Sequence, residues 1–110
     1  MDQSVKYADI LTQVIRSHSE LEFRTIPGLK HVSSCDREAG QFLLIMIGWD
    51  NRKHWHHSIT FHARLLNGKV RIEADMTEGL MPQLLEAGIR AEDVLSDLAY
   101  DYGEAARAAA

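Results

Sequence analysis

The sequence predicts an α+β fold: a four-stranded antiparallel sheet with an N-terminal helix and two C-terminal helices. Three observations predict it. Apolar residues recur at helical spacing near both ends of the 110-residue chain but not in its middle. Between residues 29 and 75 the pattern becomes either strict alternation or an unbroken apolar run, the two signatures of strand. Asn67-Gly68 separates two alternating stretches, and such a pair is a strong hairpin signal, because a type I′ turn needs positive φ at both central positions. Strands grouped together with helices at the ends form the α+β pattern.

The first helix spans residues 4–17, SVKYADILTQVIRS. Val5, Ala8, Leu11 and Ile15 fall on one stripe, and Tyr7, Ile10 and Val14 widen it. Asp2 or Ser4 caps its start. Residues 22–28 connect it to the sheet, with Pro27-Gly28 as a turn. Leu29 to Asp36 reads as a short strand, and Asp36-Arg37-Glu38-Ala39-Gly40 as the turn after it. Gln41 to Trp49, QFLLIMIGW, has no polar break and reads as a strand covered on both faces. Asp50-Asn51-Arg52-Lys53 closes a hairpin.

His54 to Leu66 alternates. Trp55, His57, Ile59, Phe61, Ala63 and Leu65 share one face, and His54, His56, Ser58, Thr60, His62 and Arg64 the other. Val70, Ile72 and Ala74 continue the apolar face after the Asn-Gly turn. A two-residue turn sets the register. Leu66 then opposes Lys69, Leu65 Val70, Arg64 Arg71, Ala63 Ile72, His62 Glu73, Phe61 Ala74 and Thr60 Asp75. After Thr77 the period turns helical. Leu80, Leu84 and Leu85 mark a short helix with Thr77 as cap, Pro82 in its first turn and Gly88 at its end. Val94, Leu95 and Leu98 predict a third helix over Ala91–Tyr100.

Length and composition imply one domain over residues 1–110. Hydrophobic residues are 45% and charged residues 25% of the chain, a globular rather than a disordered mix. The net charge of −4 argues against a protein that holds nucleic acid through its global field. One cysteine, Cys35, permits no internal disulfide and fits a reducing cytoplasm. No apolar run reaches the length of a membrane span and no signal-peptide pattern opens the chain, so a cytoplasmic protein is expected.

Four of the six histidines crowd into residues 54–62. His56 and His62 share a face but stand about 20 Å apart on one strand, too far for a common ion. His54 and His56 are about 7 Å apart. They lack a third ligand, and Arg52 and Lys53 beside them repel a cation. No metal or other cofactor is expected. Asp75, Thr77 and Glu78 cluster where acid–base work is conceivable, yet these residues are also what a helix start favours. Cys35 and His31 share a strand face but lie about 13 Å apart. No phosphate loop or nucleophile elbow is present. No catalytic residue is expected.

The run from Gln41 to Trp49 is apolar on both sides. Leu43, Ile45, Ile47 and Trp49 share one face, and Phe42, Leu44, Met46 and Gly48 the other. If Trp49 pairs with Trp55, then Leu44 meets Thr60 and Met46 meets Ser58. Either the C-terminal segment covers this second face or another chain does.

Several segments together resemble the XisI family, the controlling factors for excision of the cyanobacterial fdxN DNA element. They are Ser34-Cys35-Asp36-Arg37-Glu38, Gly40-Gln41-Phe42-Leu43-Leu44, Ile47-Gly48-Trp49-Asp50, Asn67-Gly68-Lys69-Val70 and Asp75-Met76-Thr77-Glu78. Leu84-Leu85-Glu86-Ala87-Gly88-Ile89 and the acidic Glu92-Asp93 follow in the expected order. Met76 stands where the family pattern has Gly, and Ala99-Tyr100-Asp101-Tyr102-Gly103 with an Ala-rich tail replaces the family's usual ending. The resemblance implies a single XisI-like domain and a non-catalytic accessory factor. It would bind a nuclease-fold companion, XisH-like, or a site-specific recombinase, with only indirect contact to nucleic acid and no membrane. A homo-oligomer is a further way to cover the apolar surplus.

The residues expected to meet a partner are Trp49, Asp50, Arg52, Lys53 and Trp55 at the hairpin, and Phe42, Leu44 and Met46 on the second face. Aromatics and Arg at a protruding turn are typical interface anchors. Two other readings compete: direct DNA binding by Arg52-Lys53-His54 with Arg64 and Arg71, and a small metal-dependent hydrolase using Asp75, Glu78 and His62.

Overall fold

A computed structural model describes residues 3–21, 26–77 and 79–96 of the chain. Helix α1 spans Gln3–Ser19 and is followed by strands β1 (Leu29–Asp36), β2 (Gln41–Trp49), β3 (Trp55–Leu66) and β4 (Lys69–Asp75). Helix α2 (Leu80–Ala87), a 3-10 turn (Ala91–Asp93) and strand β5 (Val94–Ser96) complete the described order. The strands form one sheet in the order β1-β2-β3-β4-β5. Strands β1 to β4 pair antiparallel, and β5 lies parallel to β4.

The α+β class, the N-terminal helix and the four antiparallel strands stand as expected. The third helix does not: its first part is the 3-10 turn and β5, and residues 97–100 lie outside the described residues. The spacing of Val94 and Leu95 suits either element. A neighbour distant in sequence decides between them. Val94 pairs with Val70 and Leu95 with Arg71, so β5 satisfies backbone groups on β4 that would otherwise have no partner.

Helix α1 buries Tyr7, Ala8, Leu11 and Ile15, while Val5, placed on the same stripe by spacing, stays exposed. These side chains and Leu80, Leu84 and Ile89 cover one face of the sheet, where Phe42, Leu44, Phe61, Ala63, Val70 and Ile72 stand. Helix α2 begins at Gly79 with no side-chain cap. The expected cap, Thr77, turns back instead, its N–H and hydroxyl both donating to Asp75 Oδ1 at 2.9 and 2.7 Å. Gly88 ends the helix at φ 126°, its N–H returning to the last-turn carbonyls.

Two bulges revise the expected registers. The β3–β4 register follows the Asn67-Gly68 turn as far as Ala63–Ile72 and then slips, so His62 opposes Ala74 and Phe61 opposes Asp75. Glu73 is the extra residue. The β2–β3 ladder starts from Trp49–Trp55 and Met46–Ser58 as expected, but Leu44 meets Phe61 rather than Thr60. Thr60 is the extra residue here. It is buried, its hydroxyl donates to the Leu44 carbonyl at 3.2 Å, and its own carbonyl accepts from Met76 N–H at 2.7 Å. An inserted residue reverses the alternation. Trp55, His57 and Ile59 therefore face away from Phe61, Ala63 and Leu65, not with them.

A buried carboxylate closes the fold. Asp93, about 1% exposed, accepts from Tyr7 Oη and Gln3 Nε2 of α1, Lys69 Nζ of β4 and Arg90 Nε. Lys69 and then Tyr7 and Arg90 hold it well below the ordinary carboxylate range. One side chain thus ties α1, the β3–β4 turn and the segment leading into β5. Nothing in its local pattern marked it in the sequence.

Candidate functional site: an aromatic hairpin on a half-covered sheet

The β2–β3 hairpin is built by a close backbone approach. Gly48 sits at φ 130°, and a Cβ there would lie 2.0 Å from the Gly28 carbonyl oxygen. That carbonyl accepts from Trp49 N–H at 3.0 Å. Only glycine permits this approach, and it fixes where β2 ends and Trp49 projects. Trp49 and Trp55 oppose each other across the ladder, with ring centroids 5.2 Å apart and planes at 65°. This edge-to-face geometry suits the ring quadrupoles. Both indoles remain about half exposed.

Asp50 organises the loop between them. Its Oδ1 accepts from the N–H groups of Arg52 and His54 at 2.8 and 2.9 Å, and its Oδ2 accepts from His56 Nε2 at 2.8 Å. A carboxylate only accepts, so the His56 proton sits on Nε2. Asp50 N–H bonds the His54 carbonyl, and Lys53 takes a positive φ of 63° to complete the turn. The His56 bond, followed by the backbone N–H of His54, pulls the Asp50 carboxyl down to about 2. Arg52 and Lys53 are left exposed at the tip. The expected hairpin group of Trp49, Asp50, Arg52, Lys53 and Trp55 is thus brought together in space. Asp50 acts as its internal brace, a role visible beforehand only as Asp at the first position of a turn.

The other expected contacts are relocated. Phe42 and Leu44 are fully buried beneath α1, and Met46 is half-buried on the same side. Phe42 and Leu44 are core residues and cannot meet a partner directly. Both faces of β2 are apolar, so alternation separates them without saying which one the helix covers. Among the described residues the uncovered face is the one carrying Leu43, Ile45 and Ile47, and the C-terminal segment expected as an alternative cover lies, from residue 97 on, outside the described residues. Across it, Val32, Ile45 and Ile59 lie side by side on β1, β2 and β3. Ile45, His57, Ser58 and Ile59 border a cleft of about 360 Å³ there.

The histidines are dispersed. His62 Nε2 lies 2.6 Å from Gln41 Oε1, not on Glu73 as the unbulged register implied. His57, expected at the core edge, is exposed. His31 meets His18 of α1 with ring centroids 5.6 Å apart, and burial followed by the His18 charge lowers its pKa. Cys35 faces α1 and its thiol is pushed up by burial. Among the described residues no three His, Cys, Asp or Glu side chains are placed to hold a metal ion. For the hydrolase reading, Asp75 is engaged by Thr77 and Glu78 lies outside the described residues. For the DNA reading, Arg64 and Arg71 both bond Glu73, at 3.4 and 2.8 Å. They stand some 30 Å along β3 from the Arg52-Lys53 tip, so the basic residues do not form one patch. Among the described residues no helix is long and apolar enough to cross a membrane.

These features define a small α+β protein whose prominent surfaces, among the described residues, are an ordered aromatic hairpin and an uncovered apolar sheet face. The XisI protein family matches residues 1–105, and the chain belongs to that family. The fold is similar to the crystal structure of a XisI-like protein from Anabaena variabilis ATCC 29413, with a TM-score of 0.71 and 16% identity over 84% of each chain. It is also similar to the fdxN element excision controlling factor XisI of the same organism. There the TM-score is 0.67 and the identity 26%, covering 86% of this chain and 90% of that one. No curated protein matches.

Proposed function

We propose that this chain is a non-catalytic controlling factor for excision of a DNA element, acting by protein contact through the Trp49–Trp55 hairpin. The companion is a nuclease-fold, XisH-like protein or a site-specific recombinase, and contact with nucleic acid is indirect. Family membership supports the role, since a similar structure carries the name of an excision controlling factor. The observation that carries the contact is the hairpin itself. Two half-exposed indoles are locked edge to face beside a loop already ordered by Asp50. Preordered aromatics lose little conformational entropy on binding and anchor interfaces well. The net charge of −4 suits a protein-binding subunit better than a lone DNA binder.

The test is co-purification of the tagged chain from its host with nuclease present, followed by mass spectrometry. A nuclease-resistant companion lost in Trp49→Ala and Trp55→Ala variants of unchanged circular dichroism is the expected outcome. Recovery of nucleic acid alone, vanishing with nuclease, would overturn the reading and direct attention to Arg52 and Lys53.

A further inference from the structure

Among the described residues, the helices cover one face of the sheet and leave the other open. Its side chains follow from the registers. Lys30, Val32, Ser34 and Asp36 stand on β1, and Leu43, Ile45 and Ile47 on β2. His57, Ile59, His62 and Arg64 stand on β3 opposite them, with Arg71 beyond on β4. Val32 and Ile59 are 41% and 44% exposed, and Leu66 and Leu95 near the far end are also exposed. The centre is apolar, and ionic groups lie around it. This is the plan of an interface, with a dry middle and a polar rim. Scattered apolar side chains need no such account, but a contiguous ladder across three strands does.

We propose that this open face packs on the same face of a second copy of the chain, forming a two-fold dimer. The occupant follows from the chemistry of the face. It carries both signs of charge on a shared apolar field, so it complements itself rather than a uniformly charged partner. A two-fold axis along β2 sets Ile45 over its own counterpart and Val32 over the partner's Ile59. The same operation brings Asp36 against the partner's Arg64. An isologous contact requires this reciprocity. Two sheets facing each other pack about 10 Å apart with strands within about 30°, which aligned β2 strands satisfy.

The size is adequate. Four strands at about 4.8 Å spacing and eight residues at about 3.3 Å give a face of about 19 by 26 Å. That is a flat footprint of about 500 Å² before side-chain relief, against about 800 Å² of accessible surface per partner in a standard interface. Relief, Leu66 and the tryptophan end supply the difference. The contact leaves the tip residues Arg52 and Lys53 outside but reaches Trp49 and Trp55, so it shares the tryptophan end with the companion reading, and its test changes Ile59 and Ile45 rather than either indole.

Sedimentation equilibrium of the purified full chain at micromolar concentrations tests the proposal. A dimer is expected, and Ile59→Arg should raise its dissociation constant at least about 100-fold while leaving circular dichroism unchanged. A wild-type chain that stays monomeric overturns the proposal. So does a dimer indifferent to Ile59→Arg, which would move the contact to the open edge of β1. If Ile59→Arg does not fold, Ile45→Cys in a Cys35→Ser background gives a second readout with a short bismaleimide. Efficient cross-linking is expected there and little at a control Lys6→Cys on α1; equal yields at both positions overturn the proposal.

Discussion

The Tyr7 hydroxyl on α1 donates to Asp93 Oδ2, joining residues 86 positions apart at a site closed to solvent. The same hydroxyl accepts from Arg90 N–H at 3.2 Å. Tyr7→Phe removes both bonds and leaves a buried ionised carboxylate short of one donor. The expected loss is about 2 kcal/mol of unfolding free energy, measured by urea denaturation. Asp93→Ala should destabilise more than Tyr7→Phe, because it strands the Lys69, Gln3 and Tyr7 donors together.

Asp50 gives the fold a defined acid response. Its carboxyl titrates near 3.8 when free and near 2 in the hairpin. A depressed folded pKa contributes stability that is present above the unfolded value and lost as pH falls through the folded one. The contribution is therefore complete at neutral pH, declines from about pH 4 and is gone below about pH 2. Asp50→Asn should lower stability at pH 7, and its deficit relative to wild type should shrink across that window in urea melts.

Buried and exposed aromatics should separate cleanly. Phe42→Ala opens a void under α1 and should cost about 3–5 kcal/mol. Trp49→Ala, at a half-exposed site, loses mainly the edge-to-face contact with Trp55 and should cost about 1 kcal/mol. Thermal unfolding of both variants compares them directly. Equal losses would contradict the placement of Phe42 in the core.

Gly48→Ala forces a Cβ into the Gly28 carbonyl at a positive φ. The backbone must move to accommodate it, so a loss of at least about 2 kcal/mol is expected. The Trp49 emission should shift as well, because the Trp49 N–H bond to Gly28 sets the position of the indole. A silent Gly48→Ala would refute the close approach.

Much of this molecule was legible because its signals are local. The Asn67-Gly68 turn registers β3 on β4 correctly from Leu66–Lys69 to Ala63–Ile72, and the bounds of β1, β2 and β4 stand as read. Turn chemistry and alternation act within a few residues, so a single sequence carries them. The hairpin group at Trp49–Trp55 was legible for the same reason, since Gly48, Asp50 and the two indoles are near neighbours along the chain.

The tertiary structure decided the rest. Bulges at Thr60 and Glu73 go with contacts across the sheet: a Leu44 carbonyl for one, the Arg64 guanidinium for the other. Strand β5 replaced a predicted helix because β4 offered unpaired backbone groups. The burial of Phe42 and Leu44 in place of Ile45 followed from which side α1 landed on, and two apolar faces of one strand are locally equivalent. Residue order by itself determined where the first four strands turn and, within a residue, where they begin and end. Packing between distant segments determined which face became core and which stayed open, because burial is a property of the neighbours that arrive and not of the strand alone.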